Sequence, residues 1–597
     1  MQVQPVRYDG FLRVDAPYDV DLEFYYFQGT SYSTELVFLI SNYRPITDNR
    51  CVFIESTATK RLPGFAVRTE ACEHALSDKH ITKIKNWIAE CNNKHPLCGY
   101  STDLSSLPTR VIDVSQSDKP LLFETGGNRG QYIALSHRWD DTQLPLLTTL
   151  NLQQLKLGFS SIRLTRRFKD AIAFTRALGI NYLWIDCLCI LQDSARDWEI
   201  QSANMASVYR NSYVTICVSG FQASSDGFVS RPRSKSWEID VNMPSDEIGR
   251  VKAREAIHHE LFYGSDQVDT TRNPLSVRGW AFQERILSRR VLHFTEYETT
   301  YECDTGTWCE CGRLEMKSRV AHDMSSHSIQ KYASLFSGTP DLLTWHDVVS
   351  EYSTKCFTKD EDVLPALSGI ASKVQSKGSG RYFAGLWEND FLASLVWAAT
   401  DMFDANDFRK ATRPLRPSSY RGPSWSWVAV QANIEWKFSY QVRYFVVRVQ
   451  EVECTVLGAN PFGKVSSGRL EIFGLVVEAL LEIKTRTGPP NYESRSYSLS
   501  RDGTSISVDS YHLQIDTQED ADEADGSKIF CLLMREYAPG KPSDILLLKP
   551  DGVSSSNFRR IGICNNGHIG SSMDVDQSFY DVSILFEGAT RTEIVIV

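Results

Sequence analysis

Between residues 125 and 300, short apolar runs alternate with segments whose apolar residues recur at helical spacing. Four runs predict buried strands: QYIALS (131–136), YLWID (182–186), YVTICV (213–218) and RVLHFT (290–295). A helix is predicted after the first strand from the spacing of Phe168, Ala171, Ile172, Thr175 and Leu178. Thr165 is placed to cap its start and Gly179 to end it. Ser194 with Asp197 resembles a capping box that opens a second helix. Strands separated by helices indicate an α/β fold with a mainly parallel sheet.

The flanking segments have different patterns. Residues 1–124 hold strand-like runs and a helix-like segment, ITKIKNWIAECNNK (81–94). Residues 301–430 are mainly helical in pattern, with TWHDVVSEYSTKC, LPALSGIASKVQ and NDFLASLVWAAT. Residues 431–597 predict a β-rich domain, in which the acidic stretch TQEDADEAD (517–525) is expected to be a solvated loop. We therefore expect four regions: 1–124, 125–300, 301–430 and 431–597. The segment RGPSWSW (421–427) is expected to pin the helical region to the β domain.

Composition narrows the class of protein. The chain has 597 residues, of which 42% are hydrophobic, and a net charge of −10 from 64 basic and 74 acidic residues. A mildly acidic chain has no broad electrostatic footprint for nucleic acid. We expect no membrane span, because no apolar run approaches the roughly 18 residues required. The first residues contain no signal-peptide core, so we expect a cytoplasmic protein whose 14 cysteines are mostly reduced thiols.

The stretch YLWIDCLCILQD (182–193) changes from a buried strand to polar residues at Asp186. In open parallel α/β sheets the carboxyl ends of the strands face the ligand crevice. Asp186 is therefore a candidate site residue. The alternative is that Asp186 tethers the next loop, with Cys187 and Cys189 as small buried hydrophobic residues.

Several longer motifs carry a family resemblance. In chain order they are YIALSHRWDD, YLWIDCLCILQD, MASVYRNSYVTICVSG and RGWAFQERILSRRVLHF. Together they resemble the successive blocks of the fungal heterokaryon-incompatibility (HET) domain. Flanking segments such as NWIAECNNKHPLC and RGPSWSW are similar to those of stand-alone HET proteins, so the resemblance spans roughly residues 80–430. The first block departs from the family pattern, because His137 replaces an aromatic residue and Asp140 replaces a glycine.

The resemblance implies a role in fungal self/non-self recognition, in which fusion of unlike cells triggers programmed cell death. The HET domain also looks distantly like TIR domains, which share a flavodoxin-like parallel sheet. Some TIR domains cleave NAD at the nicotinamide–ribose bond with a glutamate four residues after a tryptophan. Trp280 and Glu284 have that spacing. No cofactor is required by this interpretation, since NAD would be the substrate.

The chemistry of that bond assigns roles to four residues. Cleavage builds positive, oxocarbenium character on the ribose. A carboxylate stabilises this charge or positions the water that attacks the sugar. Glu284 is the catalytic candidate, Ser136 and Asp186 are candidates for binding ribose, and Trp280 for stacking on a heterocycle. Two structural alternatives stand beside these roles. Trp280 would be a core residue, and Glu284 would form an ion pair with a nearby arginine: Arg278, Arg285, Arg289 or Arg290.

Three functions therefore remain open from the sequence. The first is an incompatibility effector with NAD glycohydrolase-like activity. The second is a non-catalytic module that signals by self-association or by binding other incompatibility proteins. The third and weaker one is a metabolic enzyme on the same scaffold. Loss of toxicity in a folded Glu284→Gln variant would distinguish the first from the second.

Cysteine and histidine spacings offer further chemistry. Cys91, His95 and Cys98 supply three zinc-type ligands, which Cys72 or His74 would complete, but the spacing resembles no common zinc finger. A second set, Cys303, Cys309 and Cys311, lacks the usual CxxC knuckle. We expect buried thiols and no metal at either place. A thiol–imidazole pair between His137 and Cys187 or Cys189 is the remaining nucleophile candidate.

Overall fold

The structure is a computed structural model. It describes residues 21–26, 36–41, 52–56, 71–98, 104–116, 119–139, 144–159, 164–221, 227–231, 236–242, 248–255, 273–312, 314, 332, 335–336, 342–404, 407–436, 444–488, 492–509, 512–538, 541–552, 556–565 and 582–597. Asp140, and with it the expected change in the first motif, lies outside these residues. No helix in the described part of the chain is both long and apolar enough to cross a membrane.

Eight strands form a central sheet. They are β1 Arg110–Asp113, β2 Leu121–Glu124, β3 Tyr132–Ser136, β4 Tyr182–Ile185, β5 Val214–Val218, β6 Arg290–Phe294, β7 Thr299–Cys303 and β8 Gly306–Cys309. Their order across the sheet is β8-β7-β6-β5-β3-β4-β1-β2. The four strands predicted from apolar runs, β3 to β6, are all present and start or end within one residue of the predicted bounds.

The sheet is mixed, with a parallel centre and antiparallel edges. The central strands β4, β3, β5 and β6 pair in parallel. The outer strands pair antiparallel on both sides. Short connections join β1 to β2, β6 to β7 and β7 to β8, and only a crossover connection permits parallel pairing. The predicted mainly parallel sheet thus holds for the centre alone. The sheet also extends past both predicted limits of the central region, with β1 and β2 before residue 125 and β7 and β8 after residue 300.

Helices cover both faces of the central sheet. The longer helices among the described residues are α1 Asp78–Lys94, α2 Arg166–Leu178, α3 Ala195–Asn211, α4 Gly279–Leu287, α5 Leu342–Ser353 and α6 Ser368–Gln375. On one face, α1 packs beside α2, whose Phe174 meets Phe294 of β6 with ring centroids 5.0 Å apart. On the other face, α4 packs beside α3, whose Tyr209 meets Trp184 of β4 at 5.6 Å. The parallel strands are therefore buried on both sides, as their continuous apolar runs indicate.

Side chains at the helix ends confirm the predicted caps. Thr165 Oγ1 accepts a hydrogen bond from the Phe168 amide at 3.3 Å at the start of α2. Gly179 ends this helix with a φ of 85°, a left-handed conformation that glycine adopts without strain. Ser194 Oγ accepts from the Asp197 amide at 3.2 Å at the start of α3. These local signals fix where both helices begin and where α2 ends.

The region after the sheet mixes helices with short strands. Besides α5 and α6 it contains a helical turn at Phe391–Ser394 and strands at Tyr382–Phe383, Leu386–Trp387, Ala398–Thr400, Met402–Asp404, Asp407–Thr412 and Asn433–Glu435. The segment NDFLASLVWAAT was expected to be helical throughout. Its last three residues instead form the strand Ala398–Thr400, because they pair antiparallel with Asn433–Glu435.

The C-terminal region is β-rich, as predicted. Ten strands form one sheet: Tyr444–Phe445, Arg448–Val456, Val465–Gly488, Tyr492–Arg501, Thr504–Asp509, Leu513–Ile515, Ser527–Ala538, Lys541–Pro550, Asn557–Asn565 and Arg591–Ile596. N-terminal strands lie at Asp21–Tyr26, Leu36–Ser41 and Val52–Ser56, and the last of these pairs with Ile248–Glu255, which also pairs with Ser236–Asn242.

The acidic stretch at 517–525 is a helix and not the expected solvated loop. The helix spans Gln518–Ala524, and Thr517 Oγ1 caps it by accepting from the Asp520 amide at 3.1 Å. Asp520 is fully buried and forms ion pairs with Arg416 and Arg559. The capping residue and the two guanidinium partners explain why an acidic sequence folds here.

The tryptophan-rich segment RGPSWSW joins the middle and C-terminal regions, in line with its prediction. Trp427 donates to the carbonyl of Gly385 at 3.3 Å, and Trp425 is fully buried. Ser424 N donates to the carbonyl of Val597 at 3.1 Å, and Ser424 Oγ accepts from the Arg560 amide at 2.9 Å. The two regions therefore share one packed core.

Candidate active site

Polar residues lie where the central parallel strands end. β3 ends at Ser136, and the residues paired across β3, β4 and β5 place Asp186 and Cys217 beside it. The predicted ribose-binding pair, Ser136 and Asp186, thus lies at one edge of the sheet. Ser136 is fully buried, and its hydroxyl has no hydrogen-bond partner at ordinary geometry among the described residues.

Asp186 begins the one-turn helix Asp186–Cys189, and its carboxylate accepts three hydrogen bonds. Oδ1 accepts from the Cys187 amide at 2.7 Å and from His137 Nε2 at 3.2 Å, and Oδ2 accepts from the Trp139 indole at 2.8 Å. Burial acts to raise the pKa of Asp186, but the hydrogen bond and charge of His137 and the charge of Arg278 hold it below its ordinary value. Asp186 therefore tethers the loop and stays ionised at the edge of the sheet.

His137 links Asp186 to the polypeptide around it. The Nδ1 atom lies 3.1 Å from the carbonyl of Arg138 and the Nε2 atom faces Asp186, so both partners are acceptors. In the tautomer that carries its proton on Nε2, the imidazole donates to Asp186. The ring also packs edge-on against Phe168, with centroids 5.2 Å apart. His137 therefore combines ring packing with a hydrogen bond to Asp186.

Glu284 lies on α4 and is 6% exposed. Burial and the negative charge of Asp186 raise its pKa to about 7, and the hydroxyls of Ser136 and Tyr209 and the charge of Arg278 oppose that rise. Glu284 thus lies beside the hydroxyls of Ser136 and Tyr209, and close enough to Asp186 for the charge of that carboxylate to affect it. The edge of the sheet thus holds two carboxyl groups whose pKa values are shifted in opposite directions.

Three of the four arginines near Glu284 in sequence have other partners. Arg285 donates through Nε and a terminal nitrogen to Glu302, both at 2.9 Å. Arg278 donates to the carbonyl of His137 at 2.6 Å, and Arg290 to Asn92 Oδ1 at 2.7 Å. No ion pair to Glu284 is found within the described residues. The ion-pair alternative from the sequence therefore finds no support in these contacts.

The contacts of Trp280 are with other groups. Its indole nitrogen donates to Asp362 Oδ2 at 3.2 Å, and its ring packs edge-on against Trp198 with centroids 6.4 Å apart. Among the described residues no side-chain hydrogen bond or ring contact joins Trp280 to Ser136, Asp186 or Glu284, although Trp280 lies one helical turn before Glu284 on α4. The structure thus brings Ser136, Asp186 and Glu284 together, with the side chain of Trp280 bonded elsewhere.

Sequence reasoning did not assign site roles to Trp139, Tyr209 and Arg278. Trp139 is about one-third exposed (36%) and donates to Asp186. The signal that identified Asp186, a polar turn after a buried strand, also applies to the stretch after Ser136 and would have included Trp139. Tyr209 and Arg278 lie in or beside helices, so no pattern along the chain connects them to the strand ends.

The thiols of this edge do not suit nucleophilic attack. Burial raises the pKa of Cys187 well above its ordinary value and that of Cys189 to about 12. A nucleophilic cysteine needs a lowered pKa and an exposed thiolate. His137, Asp186 and Cys187 also place three metal-ligand atoms within 4.8 Å of one another. Among the described residues this group offers three ligands, two of them from adjacent residues, so it does not form a closed four-ligand site.

A cleft with a measurable volume lies in another part of the described chain. Its volume is about 720 Å³, and the segment at 416–424 and the C-terminal sheet line it. The arginines at its wall are paired with carboxylates: Arg416, Arg421, Arg469 and Arg559. Because these cations are already neutralised, the cleft lacks a ready anion site, and we place the candidate active site at the sheet edge.

The fold and the edge residues define a protein with an α/β domain that carries a paired-carboxyl site. Residues 132–284 match the family model described as Heterokaryon incompatibility protein (HET). The chain therefore carries a HET domain, which begins at the first residue of β3 and ends at Glu284, and this domain relates it to heterokaryon incompatibility. No significant match was found among curated proteins or among solved structures.

Proposed function

We propose that this chain acts in fungal self/non-self recognition as a cell-death effector, by hydrolysing the nicotinamide–ribose bond of NAD or of a related nucleotide. Glu284 is the catalytic carboxyl group in this proposal. The observation that carries it is the environment of Glu284, a buried carboxyl with a pKa near 7, beside a second carboxylate and without an ion pair. Perturbed pairs of this kind are concentrated at functional sites.

The order of the parallel strands supports a TIR-like site. Counted along the chain from β3, the central strands have the order 2-1-3-4, which is the order of flavodoxin-like sheets. In such sheets the ligand binds at the carboxyl ends, where the connections from the first and third strands leave in opposite directions. Here that place lies between Ser136 of β3 and Cys217 of β5.

The two carboxyl groups suit different steps of the reaction. Asp186, held ionised and 18% exposed at its side chain, would accept hydrogen bonds from ribose hydroxyls and stabilise positive charge on the sugar. Glu284, ionised above a pH of about 7, would take a proton from the attacking water. Ser136, whose hydroxyl lies beside Glu284, would orient the sugar or the water between the two carboxyl groups.

The exposed indole of Trp139 gives the site a surface for a flat heterocycle. Its nitrogen is fixed by Asp186, so the ring position is defined by the same carboxylate that would meet the ribose. Trp139 therefore takes the stacking role that the sequence assigned to Trp280. Substrate would enter from the side of Trp139 and Asp186, since Ser136 and Glu284 lie deeper.

One observation favours a second function. Glu284 is 6% exposed and Ser136 is fully buried, which suits a structural carboxyl in a module that signals by self-association or by binding other incompatibility proteins. In that case the buried pair would stabilise the domain and the reaction would not occur.

The test compares NAD turnover by the full-length chain and two variants at high protein concentration. Glu284→Gln removes the catalytic carboxyl, and Glu124→Gln is the matched control at an exposed site of the same sheet. The proposal expects nicotinamide release from the wild type and from Glu124→Gln, and none from folded Glu284→Gln. Equal release from all three, or release from none, would overturn it, and the second result would favour the self-association module.

A further inference from the structure

Three thiols and one imidazole meet at the edge of the central sheet away from the carboxyl pair. Cys91 and His95 lie one helical turn apart at the end of α1, and Cys98 ends the short helical turn Pro96–Cys98. Cys303 ends β7, next to the tight turn into β8. The four side chains thus come from two parts of the chain, with His95 and Cys303 separated by 208 residues.

Their geometry is that of a four-ligand metal site. The ligand atoms of all four residues lie within 4.8 Å of one another, and His95 Nδ1 is 3.4 Å from Cys303 Sγ. A tetrahedral zinc ion has bonds of about 2.3 Å to sulfur and about 2.1 Å to nitrogen, so it separates a sulfur from a nitrogen ligand by about 3.6 Å. The observed spacing needs only small movements to reach these values.

The surroundings hold the ligands in place. Cys91, Cys98 and Cys303 are fully buried, and the ring of His95 is stacked on Trp308 at 5.2 Å with an interplanar angle of 20°. This stacking fixes the orientation of the imidazole. A group with four protein ligands leaves no position for substrate, which is typical of structural zinc.

A cation beside the sulfurs suits a thiolate cluster. Arg290 Nε donates to Cys91 Sγ at 3.2 Å, and the same guanidinium donates to Asn92 Oδ1 at 2.7 Å. Three thiolates around Zn²⁺ carry one net negative charge, which the adjacent guanidinium offsets. Hydrogen bonds to ligand sulfurs are typical outer contacts of metal sites.

We propose that Cys91, His95, Cys98 and Cys303 bind one structural zinc ion. The ion fastens the end of α1 and the turn after it to the β7–β8 hairpin, and so closes a loop of more than 200 residues that contains the HET domain. Because zinc binds the folded arrangement and not the separated ligands, its binding free energy adds to the stability of the fold. The proposal does not depend on the chemistry at Glu284.

The structure supplies the fourth ligand that the sequence could not identify. Cys72 and His74 are the candidates from the sequence. The backbone amide of Cys72 donates a hydrogen bond to Glu310, and His74 Nδ1 accepts one from the Leu76 amide. Neither belongs to the four-residue group. With Cys303 in the fourth position, the set is complete, and the expectation of buried thiols without metal gives way to this proposal.

A neighbouring group provides a matched control. Glu298, Cys309 and Cys311 also place three ligand atoms within 4.8 Å, and the two sulfurs are 3.3 Å apart. This group offers three ligands and not four. Cys311→Ser therefore removes a buried thiol from the same part of the sheet without touching the proposed zinc ligands.

The experiment measures zinc in the full-length chain by elemental analysis after gel filtration, before and after incubation with ZnCl₂. The wild type and Cys311→Ser are expected to retain one zinc ion per chain, whereas Cys303→Ser and Cys98→Ser lose it. Wild type that retains no zinc after this incubation would overturn the proposal. So would folded Cys303→Ser that keeps its zinc, or loss of zinc from Cys311→Ser alone.

If the serine variants do not fold, X-ray absorption at the zinc edge of the wild type decides the question. Three sulfurs and one nitrogen around zinc are the expected first neighbours. A shell of oxygen and nitrogen atoms only, or two oxidised cysteines within the group in place of zinc, would contradict the proposal. Removal of zinc with a chelator should also lower the unfolding temperature.

Discussion

At the scale of single residues, Glu284 is the most informative side chain. A carboxyl that is buried without a cation is more stable in its neutral form, and the nearby charge of Asp186 adds to this preference. Its neighbour Asp186 accepts three hydrogen bonds and lies near the charge of Arg278, and its pKa is lowered, so it remains charged. One buried edge thus holds a neutral and an ionised carboxyl group at mildly acidic pH, a division of roles that many hydrolytic sites use.

The raised pKa of Glu284 makes stability depend on pH, whether or not the chain is an enzyme. Its pKa is about 7 in the folded chain against 4.5 as the ordinary value, so the folded state binds the proton more tightly. The stability from this proton is present below pH 4.5 and is lost as the pH rises towards 7. The whole shift corresponds to about 3 kcal/mol.

Glu284→Gln removes that dependence, because glutamine does not ionise. Relative to wild type, the variant should gain up to about 3 kcal/mol in free energy of unfolding between pH 5 and pH 8. Urea unfolding at the two pH values measures the gain, with Glu124→Gln as the exposed control. If the difference in free energy of unfolding between variant and wild type is the same at pH 5 and pH 8, Glu284 is ionised at both pH values.

At the scale of elements, a buried charge network ties α4 to the sheet. Glu302 of β7 accepts two hydrogen bonds from Arg285 of α4, and its Oε2 lies 3.0 Å from Nε2 of His293 on β6. Burial acts to raise the pKa of Glu302, but Arg285 and His293 together lower it to about 2. This network holds α4, the helix that carries Glu284, in position against β6 and β7.

Glu302→Gln should destabilise the fold by about 3 kcal/mol or more, because it leaves the buried Arg285 charge without its partner. The loss should be largest above pH 4.5, since Glu302 contributes its stability there and loses it as the pH falls towards 2. Chemical unfolding at pH 7 and pH 4 measures both effects. A loss no larger than that of exposed Glu124→Gln would mean that the network does not hold α4.

The same elements indicate what the sequence can and cannot predict. The strands at 132–136 and 182–185, and the caps at Thr165 and Gly179, follow from patterns within a few residues. Contacts between distant segments do not, because they depend on which elements become neighbours in space. Cys303 reaches His95 only through the sheet order, and Tyr209 reaches Glu284 only because α3 and α4 pack together.

Local patterns also failed where distant pairing competed with them. The apolar spacing of NDFLASLVWAAT favours a helix, yet Ala398–Thr400 is drawn into a strand by Asn433–Glu435. The acidic stretch at 517–525 has no core-like pattern, yet Asp520 is buried by two arginines that are far away in sequence. In both cases a partner that the local sequence does not contain decides the structure.

At the scale of the whole molecule, the region after the sheet docks on the HET domain through α6. Gly369 of this helix lies against α3 and α4, and its amide donates to Gln283 Oε1 at 2.6 Å. A Cβ atom at this position would lie 2.7 Å from the Cβ of Ala206 and 2.7 Å from Gln283 Oε1. The three helices can approach this closely only because residue 369 has no side chain.

Gly369→Ala should therefore separate the helices and lower the free energy of unfolding by about 1–3 kcal/mol. Ser372→Ala, at an exposed position of the same helix, is the matched control and should change little. Thermal unfolding and limited proteolysis of the two variants measure the effect. If Gly369→Ala is as stable as the control, the docking of α6 is looser than these distances indicate.

The boundaries of the HET match have a consequence for how this protein can be divided. The matched segment, residues 132–284, contains the central strands β3, β4 and β5 but neither β6 nor β1, which flank them in the sheet. A fragment cut at those limits would expose two strand edges that are paired in the intact protein, and exposed edges promote aggregation. The segment recognisable by similarity therefore omits strands that are part of its own sheet. Experiments on an isolated domain should therefore begin before α1 and extend beyond β8.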